Sequence, residues 1–410
     1  MSVTHSGSTT SEVRLSPGDR RRCLILLIAA LSVVSMTSSL VWPILAESLS
    51  NRGYSETEIS ISAAVQFAGI AIVSLVATRF IPVLGVLGSI AAGLVFVAVA
   101  LIGLPLWRDY TAWCALRFLL GVGNALLFTA GDTWINQILD DRVRGRWMGI
   151  YTTVGMAGWA VGPVVGASLD PETAWPFLIG LSSVLVTSVL LLPTRRISFT
   201  FPVEDRARSG IGRLMIVFLA APTVLLSSAM FGILEGGLQS FAHLYTMDVL
   251  GEEFRQTGYG VIWVGSVGAI FFQYPVGWLA DRVHRGWLLV GCVFIIAACL
   301  APLPWLLHGG AEPWWTGPGL LLWSVIVVWG GAMGAVFTVG LTLLGQRFRS
   351  VDLVAANAVF SLLFGIGGMV GPLMVGMSMD EFGPHAFVGS LIISVILYGC
   401  FAAVRQIVRR

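Results

Sequence analysis

Apolar runs of about twenty residues, each long enough to cross a hydrocarbon core of about 30 Å as a helix, recur from one end of this chain to the other. Twelve can be read, beginning near Cys23, Glu58, Pro82, Thr111, Gly145, Thr173, Arg213, Thr257, Gly286, Trp315, Val351 and Pro384. A chain of this pattern has the bilayer as its solvent, and each span must satisfy its own backbone as a helix. The side chains agree, with 56% hydrophobic and 11% charged, against about 25% charged in soluble domains. Arginines precede the first run, as they do in a signal peptide. That run is longer than a signal's apolar region, however, and further spans follow at once.

All 24 basic residues are arginine, and about 20 of them fall on the N-terminal side of the alternating loops. They include Arg20, Arg21, Arg22, Arg79, Arg142, Arg195, Arg196, Arg282, Arg285, Arg347 and Arg349, whereas Arg52, Arg108 and Arg255 fall opposite. This asymmetry predicts that both termini are cytoplasmic, which requires an even number of spans. The net charge of +2 reflects that asymmetry and implies no nucleic-acid partner. The absence of lysine suggests a GC-rich bacterial genome and hence the cytoplasmic (inner) membrane. The five cysteines lie in or at the edges of spans, with no CxxC pair or histidine cluster, and read as small hydrophobes. No metal site or cofactor is expected.

The chain divides in two. A polar stretch, TRRISFTFPVEDRARSGIG, separates six spans from six. The expected parts are a cytoplasmic tail (1–22), a six-helix bundle (23–194), a linker (195–212) and a second six-helix bundle (213–410). A shift of 209 residues lays FTAGDTWINQ over FTVGLTLLGQ, and Gly162-Pro163 over Gly371-Pro372. Ungapped agreement from Gly121 over Gly330 to Pro163 over Pro372 points to duplication. Two parallel six-span halves are the plan of many secondary transporters.

Four motifs then resemble the major facilitator superfamily. GWLADRVHRG, Gly277 to Gly286, is similar to its loop signature, with His284 where glycine is usual and Gly286 in place of a second basic residue. Gly277 would let two helices approach, and Asp281 could hold Arg282, Arg285 or a neighbouring arginine in a charge-assisted lock. The first-half equivalent, SLVATRFIPVLG, has lost the aspartate. RFLLGVGNA, from Arg117, is similar to the family's fourth-span pattern, and GDTWINQILDDRVRGR resembles the YcaD-like group. Gly149, Gly158, Gly162, Pro163 and Gly166 fit the antiporter signature, with Ala167 where a final glycine is usual. Side chains absent at these glycines allow close packing, and Pro163 removes a backbone donor. The expectation is a sliding hinge at this seam and at its copy, Gly367, Gly371 and Pro372. The alternative is a static interface.

Charge inside the membrane marks candidate chemistry, because each ionised group costs at least about 2.5 kcal/mol at mid-span. Glu235, within FGILEGGLQSFAHLY, is the expected proton site, and its flanking glycines are expected to loosen the helix and widen a cavity. Arg117, by its match to the family pattern, has a cavity role, either tuning a nearby acid or binding an anionic substrate. Asp132 lies 15 residues further on, about 22 Å along a helix, and is expected to join Arg144 or Arg146 in an inner gate. Gln66, Asn124, Gln239, His243 and Gln273 are polar groups that could line the path. Trp42, Pro43 and Trp159 could line it too, or anchor helices.

No GxxxxGK phosphate loop or nucleophile elbow occurs, so an ion gradient is the expected energy source and no enzymatic activity is expected. The resemblance implies an all-α membrane protein of twelve transmembrane helices in two pseudo-symmetric bundles, acting as a monomer. The expected function is proton-coupled efflux of a small molecule by alternating access. Uptake by symport is the alternative, and a membrane scaffold or sensor is the alternative of another class.

Overall fold

The computed structural model describes residues 17–139, 144–196, 211–280, 282–308, 315–348 and 350–408. Among these, eleven helices are long and apolar enough to cross a membrane, and a twelfth, Arg285–Leu300, is apolar but shorter. In chain order they are α1 (Pro17–Asn51), α2 (Glu56–Val76), α3 (Val83–Leu106), α4 (Tyr110–Ile138), α5 (Arg144–Ala167) and α6 (Trp175–Leu191). The second half holds α7 (Pro222–Leu250), α8 (Arg255–Ala280), α9 (Arg285–Leu300), α10 (Gly317–Arg347), α11 (Ser350–Phe382) and α12 (Ala386–Val408).

Local chemistry sets several boundaries. Ser55 and Glu58 form a reciprocal capping box that starts α2, satisfying two otherwise orphaned donors. Asp109 caps α4 by accepting from the Ala112 amide. α2 and α3 belong to one helical run, Glu56–Leu106, which is kinked at a single non-helical residue near the start of α3, Gly85, at φ 71°, a positive-φ conformation that glycine adopts without strain. The seventh span is not continuous. A short helix, Ile211–Ala220, stops at Ala221, and Pro222 begins α7 afresh, because proline has no amide to continue the ladder. α1 begins at Pro17, so its first turns carry Arg20, Arg21 and Arg22.

The two halves repeat one pairing scheme. α1 packs on α5 and α6 as α7 packs on α11 and α12, and α2 pairs with α4 as α8 pairs with α10. Between halves, α2 lies along α11 and α5 along α8, the same contact seen from each side of the pseudo-dyad, with α1 against α7 at the centre.

Candidate functional site

Glu235, Gln239 and His243 follow at i, i+4 and i+8 on α7, and so share one face. Glu235 is 7% exposed, on a helix that meets α1 of the other half. Gln239 Nε2 donates to its Oε1 at 3.0 Å, and Trp159 of α5 reaches the same carboxylate as a second donor. No arginine pairs with Glu235 among the described residues. Trp42 stands edge-on to Trp159 (5.0 to 5.3 Å spans its ring neighbours), with Phe67 on its other side. The row of rings continues from Phe67 to Phe364 and Phe231, and so crosses from α5, α1 and α2 to α11 and α7. Gln239 Oε1 and Trp42 Nε1 are buried without a hydrogen-bond partner among the described residues, and the buried His243 ring reaches the Pro43 carbonyl of α1. Buried polar atoms are nearly always paired, so such a cluster is the mark of a place where a ligand or water completes the bonding.

The glycines beside Glu235 act against the expectation of a loosened helix. A Cβ at Gly236 would come within 2.7 Å of the Gly368 carbonyl oxygen, and one at Gly232 would overlap that of Phe364. They seat α7 directly on α11, backbone to backbone, and so fix Glu235 instead of freeing it.

Arg117 is fully buried, but its partners lie within its own half. Nε donates to Gln66 Oε1 and Nη1 to Ser62 Oγ, each at 3.2 Å. Gln66 Nε2 is left unpaired. Both partners are on α2, so Arg117 shares no hydrogen-bond partner with Glu235. Asn124 is buried on the same helix, two turns on. Gln273 joins the halves: its Nε2 meets Met156 Sδ of α5 at 3.4 Å, and its Oε1 accepts from Thr338 at 2.9 Å.

A group unmarked by the sequence pattern closes one end. Arg255, at the start of α8, forms a two-pronged ion pair with Glu47 of α1. The same guanidinium donates to the carbonyls of Ala167 at 2.7 Å, Gly166 at 3.3 Å and Leu169 at 2.8 Å, at the C-terminal end of α5. A cation there meets both orphaned carbonyls and the negative pole of the helix. Tyr259 donates to Glu47 Oε2 at 2.7 Å, and its ring lies 5.1 Å from that of His243. Across the pseudo-dyad, Asp380 of α11 caps α2 by accepting from the Glu56 amide at 3.1 Å and the Thr57 amide at 2.8 Å. Both locks lie at the end remote from the termini. Nearer the termini, the closest approaches of the halves at glycines end at Gly365 against Ala71.

The glycine seams lie inside each half, not between halves. A Cβ at Gly158 would overlap the Ser32 carbonyl oxygen, and one at Gly162 would overlap Ser39 Oγ, both on α1. At Gly367 and Gly371 it would overlap the carbonyls of Ala229 and Ile233 on α7. These backbone contacts lie within each half and are the close helix packing expected of these glycines. Pro163 and Pro372 sit within α5 and α11, and both helices continue through them. Gly166 differs, since it faces Tyr259 of the other half at 2.9 Å from its would-be Cβ. Among the described residues, a Cβ at Gly277 would meet nothing within 4 Å.

Asp281 lies outside the described residues, as do the side chains of Arg79, Arg144 and Arg146 and the positions Arg142 and Arg349. Arg282 stacks on Trp278, 3.5 Å above the ring, and Arg285 Nε donates to the Ala280 carbonyl at 2.8 Å. The contact described for Asp132 is with Tyr151 of α5, whose hydroxyl donates to Oδ1 at 2.6 Å. Glu47, Arg255, Tyr259 and Asp380 are thus the residues that sequence reasoning missed. Their only signal was position, acids and an arginine at span ends, where charge is ordinary.

Residues 27–372 match the family model described as Major Facilitator Superfamily. The chain is 22% identical over 363 residues to the uncharacterised MFS-type transporter YfkF of Bacillus subtilis (strain 168), covering 87% of this chain and 88% of that protein. It is 27% identical to the uncharacterised MFS-type transporter YcaD of Escherichia fergusonii, over 71% of each. Its fold is similar to the crystal structure of a bacterial homolog to the human lysosomal transporter Spinster in an inward-facing and occupied conformation. That likeness has a TM-score of 0.68 at 15% identity and covers 95% and 96% of the two chains.

Proposed function

Because the chain belongs to the Major Facilitator Superfamily and is a multi-pass membrane transporter, we propose that it couples efflux of a small molecule to proton entry across the cytoplasmic membrane, with Glu235 as the proton site and both termini inside. The observation that carries this reading is Glu235 itself: a carboxyl buried between the halves, held by neutral donors and paired with no arginine among the described residues. A carboxylate so placed is costly when ionised and cheap when protonated, so its occupancy by a proton can be linked to which side the path faces. Trp42, Trp159 and Phe67 offer apolar walls beside it, and Gln239 and His243 offer hydrogen bonds. Arg117 braces Gln66 and Ser62 within the first half in this reading, Asn124 lies below it, and Gln273 bridges the halves at α5 and α8.

The direction rests on the antiporter-like run around Gly162 and Pro163, and the arginine asymmetry supports only which face is inside. The cycle binds substrate from inside, takes a proton on Glu235 from outside as substrate leaves, and returns with the proton discharged inside. Proteoliposomes loaded with a pH-sensitive dye and challenged with pooled metabolites and drugs test it. Substrate-dependent proton flux opposite in direction to substrate, lost in Glu235→Gln, is the expected result. Flux that persists in the variant would refute Glu235 as the proton site, and flux in the direction of substrate would replace export with uptake.

A further inference from the structure

Of the three polar side chains in line on α7, the middle one can serve its neighbours in two ways. Gln239 is 1% exposed and His243 is wholly buried, and at a spacing of four residues their Cβ atoms are about 5 to 6 Å apart. Gln239 Nε2 is committed to Glu235 Oε1 at 3.0 Å. Its Oε1 is left without a partner among the described residues. The carboxylate fixes this orientation, because only the NH2 end of the amide can donate to it.

The arrangement suits the ionised acid alone. Gln239 Nε2 and the Trp159 indole are both donors to Glu235, and a carboxylate only accepts. A protonated carboxyl must also donate, and an indole cannot accept. Of the side chains that reach Glu235 among the described residues, only Gln239 has an acceptor to offer, its Oε1. The amide must then turn over about its last side-chain bond, a torsion that is broad and roughly two-fold. Exchanging oxygen for NH2 takes almost no extra volume, so a packed interior permits it.

What changes is the group presented to His243. As a neutral ring it has one donor and one acceptor, and it reaches the Pro43 carbonyl of α1, in the other half. With Glu235 ionised, Gln239 Oε1 and the Pro43 carbonyl are two acceptors for one ring N–H, and either tautomer leaves one of them unmet. With Glu235 protonated, Gln239 Nε2 donates to the bare ring nitrogen, and the tautomer with its N–H toward Pro43 meets both. His243 is placed to pass this on. A Cβ at Gly258 would lie 2.7 Å from the His243 Cα, so the start of α8 sits directly on it. Tyr259, whose ring is 5.1 Å from the imidazole, holds Glu47. No charged group from any helix packed on α7 bears on Glu235 among the described residues, and those that bear on His243 are Glu47 of α1 and Arg255 of α8.

We propose that Gln239 is a positioning residue that reads the proton on Glu235: its amide turns over when the acid is protonated, and the turn directs the His243 N–H to Pro43, tying α7 to α1 beside the Glu47–Arg255 pair. The incoming proton forms an O–H bond on Glu235, and the imidazole keeps a single proton throughout. A tie of this sign closes the end remote from the termini once the proton is on, as the antiport cycle requires. The proposal rests on Glu235 as the proton site.

Infrared difference spectra of the full-length protein in proteoliposomes, acid minus alkaline, test it. Three linked bands are expected. A carboxyl C=O band is lost in Glu235→Gln and persists in Gln239→Met. A glutamine amide band is lost in both of those variants. An imidazole ring band, assigned by its loss in His243→Phe, is lost in both as well. Gln239→Leu serves as a second variant at the same position. An amide or ring band that survives in Gln239→Met and Gln239→Leu would overturn the relay and leave Glu235 as the proton site. A carboxyl band that survives in Glu235→Gln would overturn that site, and the relay with it.

Discussion

At the scale of single residues, charged groups differ in the partners that hold them. Glu235 has only neutral donors, whereas Asp380 accepts two backbone amides at the start of a helix in the other half. The second arrangement is a capping bond made between halves, and loss of such a cap costs about 1 kcal/mol. Asp380→Ala is therefore expected to lower the thermal unfolding midpoint in detergent by a few degrees at most, while Asp380→Asn, which keeps one acceptor, recovers part of it. No change in either variant would show that Ser55 and Glu58 cap α2 without help. Glu235 was legible in the sequence because a lone acid in an apolar run is conspicuous. Glu47 and Arg255 were not, because each sits at a span end, where an ion costs little, and only their meeting gives them meaning.

At the scale of helices, the glycines divide by what stands opposite them. Those of α5 and α11 that face α1 and α7 are met by backbone, which cannot yield, and Gly277 is met by nothing among the described residues. Gly371→Leu is expected to lose well over 3 kcal/mol or fail to yield folded protein, since even modest overpacking costs about 1 to 3 kcal/mol. Gly277→Ala is expected within about 0.5 kcal/mol of wild type. Folded yield and thermal unfolding in the same detergent compare the two, and equal tolerance would contradict the seams as fixed contacts. The sequence announced that small residues cluster here. It left open whether a cluster slides or locks, because that depends on whether the opposing atoms belong to backbone or to a movable side chain.

For the whole molecule, the locks at Arg255 and Asp380 hold together the ends of the bundles remote from the termini. Arg255 ties α8 to both α1 and α5, so removing it frees two helices of the other half at once. Breaking a buried pair by removing one partner costs about 3 to 5 kcal/mol, which would leave a large share of molecules open at that end if the two states are otherwise balanced. Spin-label distances across that end, in a background with the five cysteines replaced, are expected to lengthen and broaden in Arg255→Gln and in Glu47→Gln. The double variant should do little more than either alone, because the pair acts as a unit. Additive lengthening would mean that the two residues serve separate contacts.

The sequence by itself determined the solvent, the spans, the doubling of the chain and the acid at Glu235. Those follow from local quantities: the length of an apolar run, the spacing of a repeat, the cost of one charge in hydrocarbon. Tertiary structure alone decided that the seams lie within halves, that α7 begins afresh at Pro222, and that Arg255 finds Glu47 some 208 positions away. Such pairings depend on which helix faces end up opposed, and in a bilayer apolar faces are nearly interchangeable, so the pattern of hydrophobicity that reveals each helix says little about its neighbour.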